Sequence, residues 1–469
     1  MIVARSTGSR RLFGLFVLLG LLATLQGCAS VHPALNAPLQ QFDPKYGYRF
    51  ANFPAAAEGN SDSLFMIASF SGGGTRASTL AFGALRELAR TEITWEGKQK
   101  RLLDELNAIN ALSGGSFTAA YYGLYGDRIF HDFESRFLRK DWESELKSRV
   151  LWSPYNWARL LSPYFGRAHI LAELLDEALF EGHTYGDMVA RQRRPLITIH
   201  ASDMATLARF EFMQSTFDLI CSDLTQLPIA RATAASSALP LVLSPISLKN
   251  YAGTCGYEPP VWLASARKTA LGQLRADELR SYLDAEKRPM VHLLDGGLSD
   301  NVGMRGMIES AALLGDTEKT FEIIGVKKKV RKLVYLVVNA ETSPDLASYR
   351  FSEIPALGRV MSALIDIPIN RYSTDTLYIL RQSVDKLKAQ IKARKNPADS
   401  KFAADADVYL INASLSEVED PDERDYLMKI PTTLYLTDEQ IERLLLAASR
   451  LIRTDPEFQR LMRDLEKSQ

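Results

Sequence analysis

The chain has 469 residues, of which 46% are apolar and 24% charged, the balance of an ordinary folded protein with enough apolar material for one large core. Lys plus Arg and Asp plus Glu both number 56, so the formal charge is zero. That composition excludes a wholly disordered chain and a protein recruited to nucleic acid by bulk charge, and any recognition of a charged ligand must be local.

In chain order, Arg5, Arg10 and Arg11 precede an apolar run from Leu12 to about Leu25, which ends at Gln26-Gly27-Cys28-Ala29-Ser30. Basic start, short apolar stretch and small-residue exit predict a signal peptide over residues 1–27, because the run is too short for a comfortable membrane span of about 20 residues. The cysteine after a small residue resembles a bacterial lipobox, which implies Cys28 as an acylated N-terminus; an uncleaved apolar anchor is the alternative. Ala29, where sorting signals for the inner membrane carry Asp, resembles outer-membrane sorting and implies a protein of the bacterial cell envelope facing the periplasm. Ser9-Arg10-Arg11-Leu12-Phe13 also resembles a twin-arginine signal, so the export route stays open.

Residues 28–62, rich in Ala, Pro, Asn and Gln, read as a tether, and the folded domain is expected over 63–469, with a core at about 63–305 and a C-terminal extension at 306–469. Ser63–Phe70 reads as a buried strand ended by Gly72-Gly73-Gly74, followed by a helix from about Thr75 to Arg90. Leu102–Ala111 leads into Leu112-Ser113-Gly114-Gly115 and a helix over Ser116–Tyr125. Further strands are expected at Leu196–Ala201, Val291–Leu294, Leu333–Val338 and Val408–Asn412. Strands separated by long helical stretches predict an α/β fold with a mainly parallel central sheet and helices on both faces. Between about Phe130 and Glu181, a stretch holding Trp142, Trp152 and Trp157 reads as a helical insertion over the site. Leu377, Leu380, Val384, Leu387 and Ile391 mark one late helix, and Thr437 and Gln440, in capping-box spacing, open another.

Three short stretches carry chemistry. Ser113 lies between a predicted strand and a predicted helix, with small residues two places to either side, the spacing of a nucleophile elbow. Gly72, Gly73 and Gly74 close the preceding strand and open a helix, so their N–H groups form a candidate site for a developing oxyanion. A phosphate loop is the alternative, but no Gly-Lys-Ser/Thr follows. Asp295 ends an apolar strand in Leu294-Asp295-Gly296-Gly297. Taken singly, each has a bland reading as a turn or cap.

Taken together and in this order, the three stretches resemble the patatin-like phospholipases. The resemblance covers about residues 63–305 and extends to Thr198-Ile199-His200-Ala201-Ser202-Asp203 and to Ala232-Thr233-Ala234-Ala235-Ser236-Ser237-Ala238-Leu239-Pro240. Ala111, Ser71 and Ala77 depart from the plant patatin pattern, and the last two are closer to the animal cytosolic phospholipases. The likeness implies a patatin-like fold and an ester hydrolase using Ser113 as nucleophile and Asp295 as its base. It further implies an oxyanion hole at Gly72–Gly74, membrane phospholipid as the favoured substrate, and no metal or other cofactor. It also suggests Arg76 as a contact to the substrate phosphate, suited by its planar fork; the competing role is structural. A catalytically decayed envelope scaffold that binds partners is the alternative function.

Of the six histidines, His200 and His292 fall in predicted strands and none lies beyond 292, which disfavours a Ser-His-Asp arrangement. Without Cys28, the remaining Cys221 and Cys255 are either a disulfide, which an oxidising compartment permits, or two buried thiols.

Overall fold

The computed structural model describes residues 31–54, 59–265, 269–314, 316–343, 354–394 and 400–467. Cys28 and the expected signal peptide at 1–27 lie outside the described residues. The central sheet is built from β1 (Leu64–Phe70), followed by helix α1 (Gly74–Arg90), and from β4 (Leu106–Leu112), followed by helix α2 (Ser113–Tyr125). Between them a two-stranded hairpin, β2 (Glu92–Trp95) and β3 (Lys98–Arg101), stands apart. The sheet continues with β5 (Leu196–Asp203), β6 (Arg209–Glu211), β7 (Ile246–Lys249), β8 (Met290–Leu294), β9 (Val330–Asn339) and β10 (Phe402–Ser414).

The strand order is β10-β9-β1-β4-β5-β8-β7, with β6 also on β5. β10, β9, β1, β4 and β5 are mutually parallel, as the long helical connections require, whereas β6 and β8 run antiparallel to β5, and β7 pairs antiparallel with β8. β1 is buried at every residue, consistent with an unbroken apolar run in the middle of a covered sheet. The fold is therefore the α/β arrangement with a mainly parallel sheet and helices packed around it.

Four more helices matter for the site: α3 (Arg167–Leu175), α4 (Ile229–Ser236), α5 (Leu357–Ala393) and α6 (Asp438–Thr454). α3 packs on α4, and α6 packs on α1 through its buried stripe of Leu444, Leu445, Ala448, Leu451 and Ile452. The capping box that opens α6 is formed: Gln440 N–H donates to Thr437 Oγ1 at 3.3 Å, and Thr437 N–H donates to Gln440 Oε1 at 3.0 Å. α5 begins twenty residues ahead of the apolar repeat from which it was expected and carries Pro368 inside it.

Two boundaries change. Residues 31–54 pack on the domain instead of forming a loose tether: Leu39 N–H donates to Cys221 O, Phe42 N–H to Cys255 O, and Tyr48 Oη to Ile197 O at 3.0 Å. The C-terminal extension is also part of the core, since β9 lies directly beside β1. Cys221 and Cys255 are joined in a disulfide that closes a 34-residue separation and lies against Leu39.

Candidate active site

The sheet register brings Ser113 and Asp295 to the same level. Leu112 of β4 pairs with His200, and Leu294 of the antiparallel β8 pairs with Ser202. The next residue of each strand therefore arrives beside Ala201, one on either side of β5. Ser113 Oγ donates to Asp295 Oδ2 at 2.9 Å. Both side chains are buried.

Ser113 has φ +44°, a left-handed conformation that costs a non-glycine residue about 1 kcal/mol or more and persists only where its surroundings hold it. The restraint is visible. Ser113 N–H donates to Ser236 Oγ at 2.7 Å, and Ser236 Oγ donates to His200 O at 2.5 Å. The same turn grips the other partner, for Asp295 N–H donates to Ala238 O and Gly296 N–H to Ser236 O, each at 3.0 Å. Ser202 Oγ donates to Asp295 O at 2.7 Å from the far side. The end of α4 thus acts as a bracket across Ser113 and Asp295.

Asp295 Oδ1 accepts Gly297 N–H at 2.8 Å, which leaves Oδ2 for Ser113. Burial pushes its carboxyl up to about 6, while the hydrogen bonds from Gly297 and Ser113 hold it back. Asp300 is also pushed up to about 6 by burial, but its oxygens accept the N–H groups of Gly303 at 2.9 Å and Arg305 at 2.8 Å. Of the two carboxyls that end this turn, only Asp295 reaches the serine.

The glycine loop crosses directly over the start of α2. A Cβ at Gly114 would collide with the carbonyl oxygen of Gly74, so only the bare backbone permits this approach. Gly73, with φ +137°, turns the chain into α1. Gly72 N–H points to Asn301 O at a long 3.4 Å, and among the described residues the N–H groups of Gly73 and Gly74 have no partner. These two groups, with Gly114 N–H in the unpaired first turn of α2, are the donors available near Ser113. The loop is fixed from behind: Ser71 Oγ accepts Ala340 N–H at 2.8 Å, Gly115 N–H donates to Ser71 O at 3.2 Å, and Thr75 N–H donates to Thr433 O at 2.9 Å.

Arg76 is placed differently from the expected phosphate contact. Its side chain is buried, with Nε and Nη2 donating to Ala340 O at 3.0 and 2.8 Å and Nη1 to Ile430 O. With its fork engaged by the carbonyls of Ala340 and Ile430 and, from Nη2 at 3.3 Å, by Thr432 Oγ1, it latches the glycine loop to the C-terminal segment. Burial lowers it to about 10, an ample margin for a permanent cation at neutral pH.

Among the described residues no histidine bonds to Ser113. His200 is buried in β5 with neither ring nitrogen partnered, and burial with the nearby Arg209 cation lowers it to about 3. His292 Nδ1 lies 2.7 Å from Ser247 Oγ on the edge of the sheet. Ser202 and Ser236 are the site residues to which sequence reasoning gave no role, although both lie in stretches it singled out.

The family model of patatin-like phospholipases matches residues 68–308. That span holds Ser113, Asp295 and the whole glycine loop. No curated protein sequence matches the chain significantly. Among solved structures, human GIVD cytosolic phospholipase A2 aligns with 87% of this chain and 60% of its own, at 13% identity and a TM-score of 0.38. The same human protein in complex with methyl gamma-linolenyl fluorophosphonate and terbium chloride aligns with 95% of this chain and 62% of its own, at 14% identity and a TM-score of 0.35. The chain thus spans about three fifths of the length of these structures. Since the family match takes in more than half of its residues, the chain belongs to the patatin-like phospholipase family.

Proposed function

We propose that the protein is a serine lipid acyl hydrolase working through a Ser113–Asp295 dyad, anchored to the cell envelope by a lipid on Cys28. The observation that carries the reading is the 2.9 Å hydrogen bond from Ser113 Oγ to the buried Asp295 carboxyl. Ser113 Oγ attacks an ester carbonyl carbon as its proton passes to Asp295 Oδ2. The oxyanion is received by the N–H groups of Gly73, Gly74 and Gly114, which are oriented before reaction and need no reorganisation. Collapse of the tetrahedral intermediate expels the alcohol, which takes the proton from Asp295. Water then attacks the acyl-serine with Asp295 again accepting the proton, and as the acyl C–Oγ bond breaks that proton returns to Ser113 Oγ, which releases the fatty acid and restores both residues.

Burial makes Asp295 a stronger base than a solvated carboxylate, closer to the operating pH. Phospholipid is the favoured substrate on family grounds, and the outer membrane facing the periplasm is the location that the Cys28-Ala29 pattern supports. The disulfide between Cys221 and Cys255 suits an oxidising compartment. The test is incubation of the purified protein with mixed phospholipid vesicles and mass spectrometry of the products. Free fatty acid and lysophospholipid, absent with Ser113→Ala, are expected; no release above the variant from any lipid would overturn the reading.

A further inference from the structure

We propose that the two short helices spanning Trp142–Leu151 and Pro154–Leu160 and the turn after them, together with Leu241 and Val242, form the face on which the protein rests on a lipid bilayer. The proposal deepens the reading of the chain as an anchored lipid hydrolase and rests on it. Its first support is chemical. Trp152 is 79% exposed, Tyr155 70%, Trp157 51% and Tyr164 56%, with Leu241 and Val242 at 56% and 55%. Single exposed apolar residues are ordinary, but a group of this size dominated by Trp and Tyr has the amphipathic character of residues at membrane–water interfaces.

These residues belong to one surface. The Arg159 guanidinium lies over both Tyr155, at 4.9 Å, and Phe165, at 3.9 Å, and Trp157 Nε1 donates to Val150 O at 3.0 Å. Arg167 Nη2 donates to Leu241 O at 2.7 Å, which ties the 241–242 loop to the start of α3. That loop also adjoins the active site, because Leu241 follows Ala238, the acceptor for Asp295 N–H, by three residues.

The second support is the path of the chain. Ser162 Oγ donates to Val31 O at 2.6 Å, and the His32 ring stacks on Tyr164 with centroids 4.0 Å apart. Val31 and His32 therefore lie on the aromatic surface, with Val31 three residues after Cys28. Three extended residues reach about 10 Å at most. Acyl chains on Cys28 would have to enter the bilayer within that distance of Val31, which brings this face to the lipid.

The test uses the full-length lipidated protein carrying Ser113→Ala, reconstituted into phosphatidylethanolamine–phosphatidylglycerol vesicles whose acyl chains are brominated near the headgroup. Tryptophan fluorescence should be quenched, and the added substitutions Trp152→Phe and Trp157→Phe should remove most of that quenching. Absence of quenching, or quenching unchanged by the two replacements, would overturn the proposal, as would a stable dimer burying both tryptophans in place of lipid. In the protein with Ser113 intact, Trp152→Ser with Tyr155→Ser should lower vesicle hydrolysis roughly tenfold while a soluble nitrophenyl ester is cleaved within about twofold of the parent rate. Docking without any hydrolysis would refute the proposed function and leave the docking face standing. Vesicle hydrolysis without quenching from the two tryptophans would refute the docking face alone.

Discussion

Ser236 Oγ accepts the backbone N–H of Ser113 at 2.7 Å and donates its own O–H to His200 O, so one hydroxyl holds Ser113 in its left-handed conformation. It lies 123 positions further along the chain. Ser236→Ala leaves a buried N–H and a buried carbonyl unpartnered, at a cost of about 1–3 kcal/mol in stability. Release of the elbow should cut kcat by roughly 10- to 100-fold with KM little altered, because the loss falls on alignment in the transition state. Steady-state kinetics of the folded variant check this, and an unchanged kcat removes Ser236 from the site.

The Asp295 carboxyl, pushed up to about 6, must be ionised to accept the serine proton. Activity should therefore rise about tenfold per pH unit below 6 and level off above it. A pH profile of kcat/KM on a neutral soluble ester measures this, and an inflection near the ordinary carboxylate value of 4 would contradict the burial argument.

The same displacement affects stability with the opposite sign. Because the folded state holds this proton more tightly than the unfolded chain, stability falls as pH rises from about 4 to 6, by up to about 3 kcal/mol. Asp295→Asn should then melt at or above the parent temperature at pH 8, with the advantage shrinking as pH falls through 6. Thermal scans at pH 8 and pH 4.5 compare the two; a variant less stable at pH 8 than at pH 4.5, relative to the parent, would reverse the sign.

Much of this site was legible because its parts are local. Strand, glycine turn and helix around Gly72–Gly74, and strand, serine and helix around Ser113, are each written within about twenty consecutive residues, and Leu294-Asp295-Gly296-Gly297 within four. What escaped depends on distant partners. Arg76 meets carbonyls 264 and 354 positions away, which no spacing rule reaches, so its planar fork suggested a phosphate. β3 is Lys98-Gln99-Lys100-Arg101, with no apolar alternation to mark it as a strand. The early half of α5 lost its period to Pro368 and a polar run after it, while residues 31–54 read as a tether because their packing rests on hydrogen bonds to Ile197, Cys221 and Cys255.

Arg76→Ala should reduce hydrolysis of phospholipid and of a neutral nitrophenyl ester by the same factor. It strips partners from the buried carbonyls of Ala340 and Ile430 and loosens the glycine loop, lowering stability by about 2–4 kcal/mol. A loss confined to phospholipid would restore a phosphate contact.

Replacing Cys221 and Cys255 together by Ser opens a loop of 34 residues, whose closure removes about 3–4 kcal/mol of unfolded-chain entropy. The melting temperature should drop by a few degrees, with the activity per folded molecule retained, since the disulfide packs with Leu39 in a cluster that includes neither Ser113 nor Asp295. Calorimetry with an active-site titration separates the two effects; an unchanged melting temperature would show that the crosslink adds nothing.

Every catalytic step proposed above depends on activation of Ser113 by Asp295. The direct measurement is the site and rate of reaction with an alkyl fluorophosphonate, followed by intact mass and peptide mapping. One adduct is expected, on Ser113, absent in Ser113→Ala and formed at least about 10³-fold more slowly in Asp295→Asn, with both variants folded. An adduct on another residue, or one on Ser113 that forms as fast without the Asp295 carboxyl, would contradict that activation.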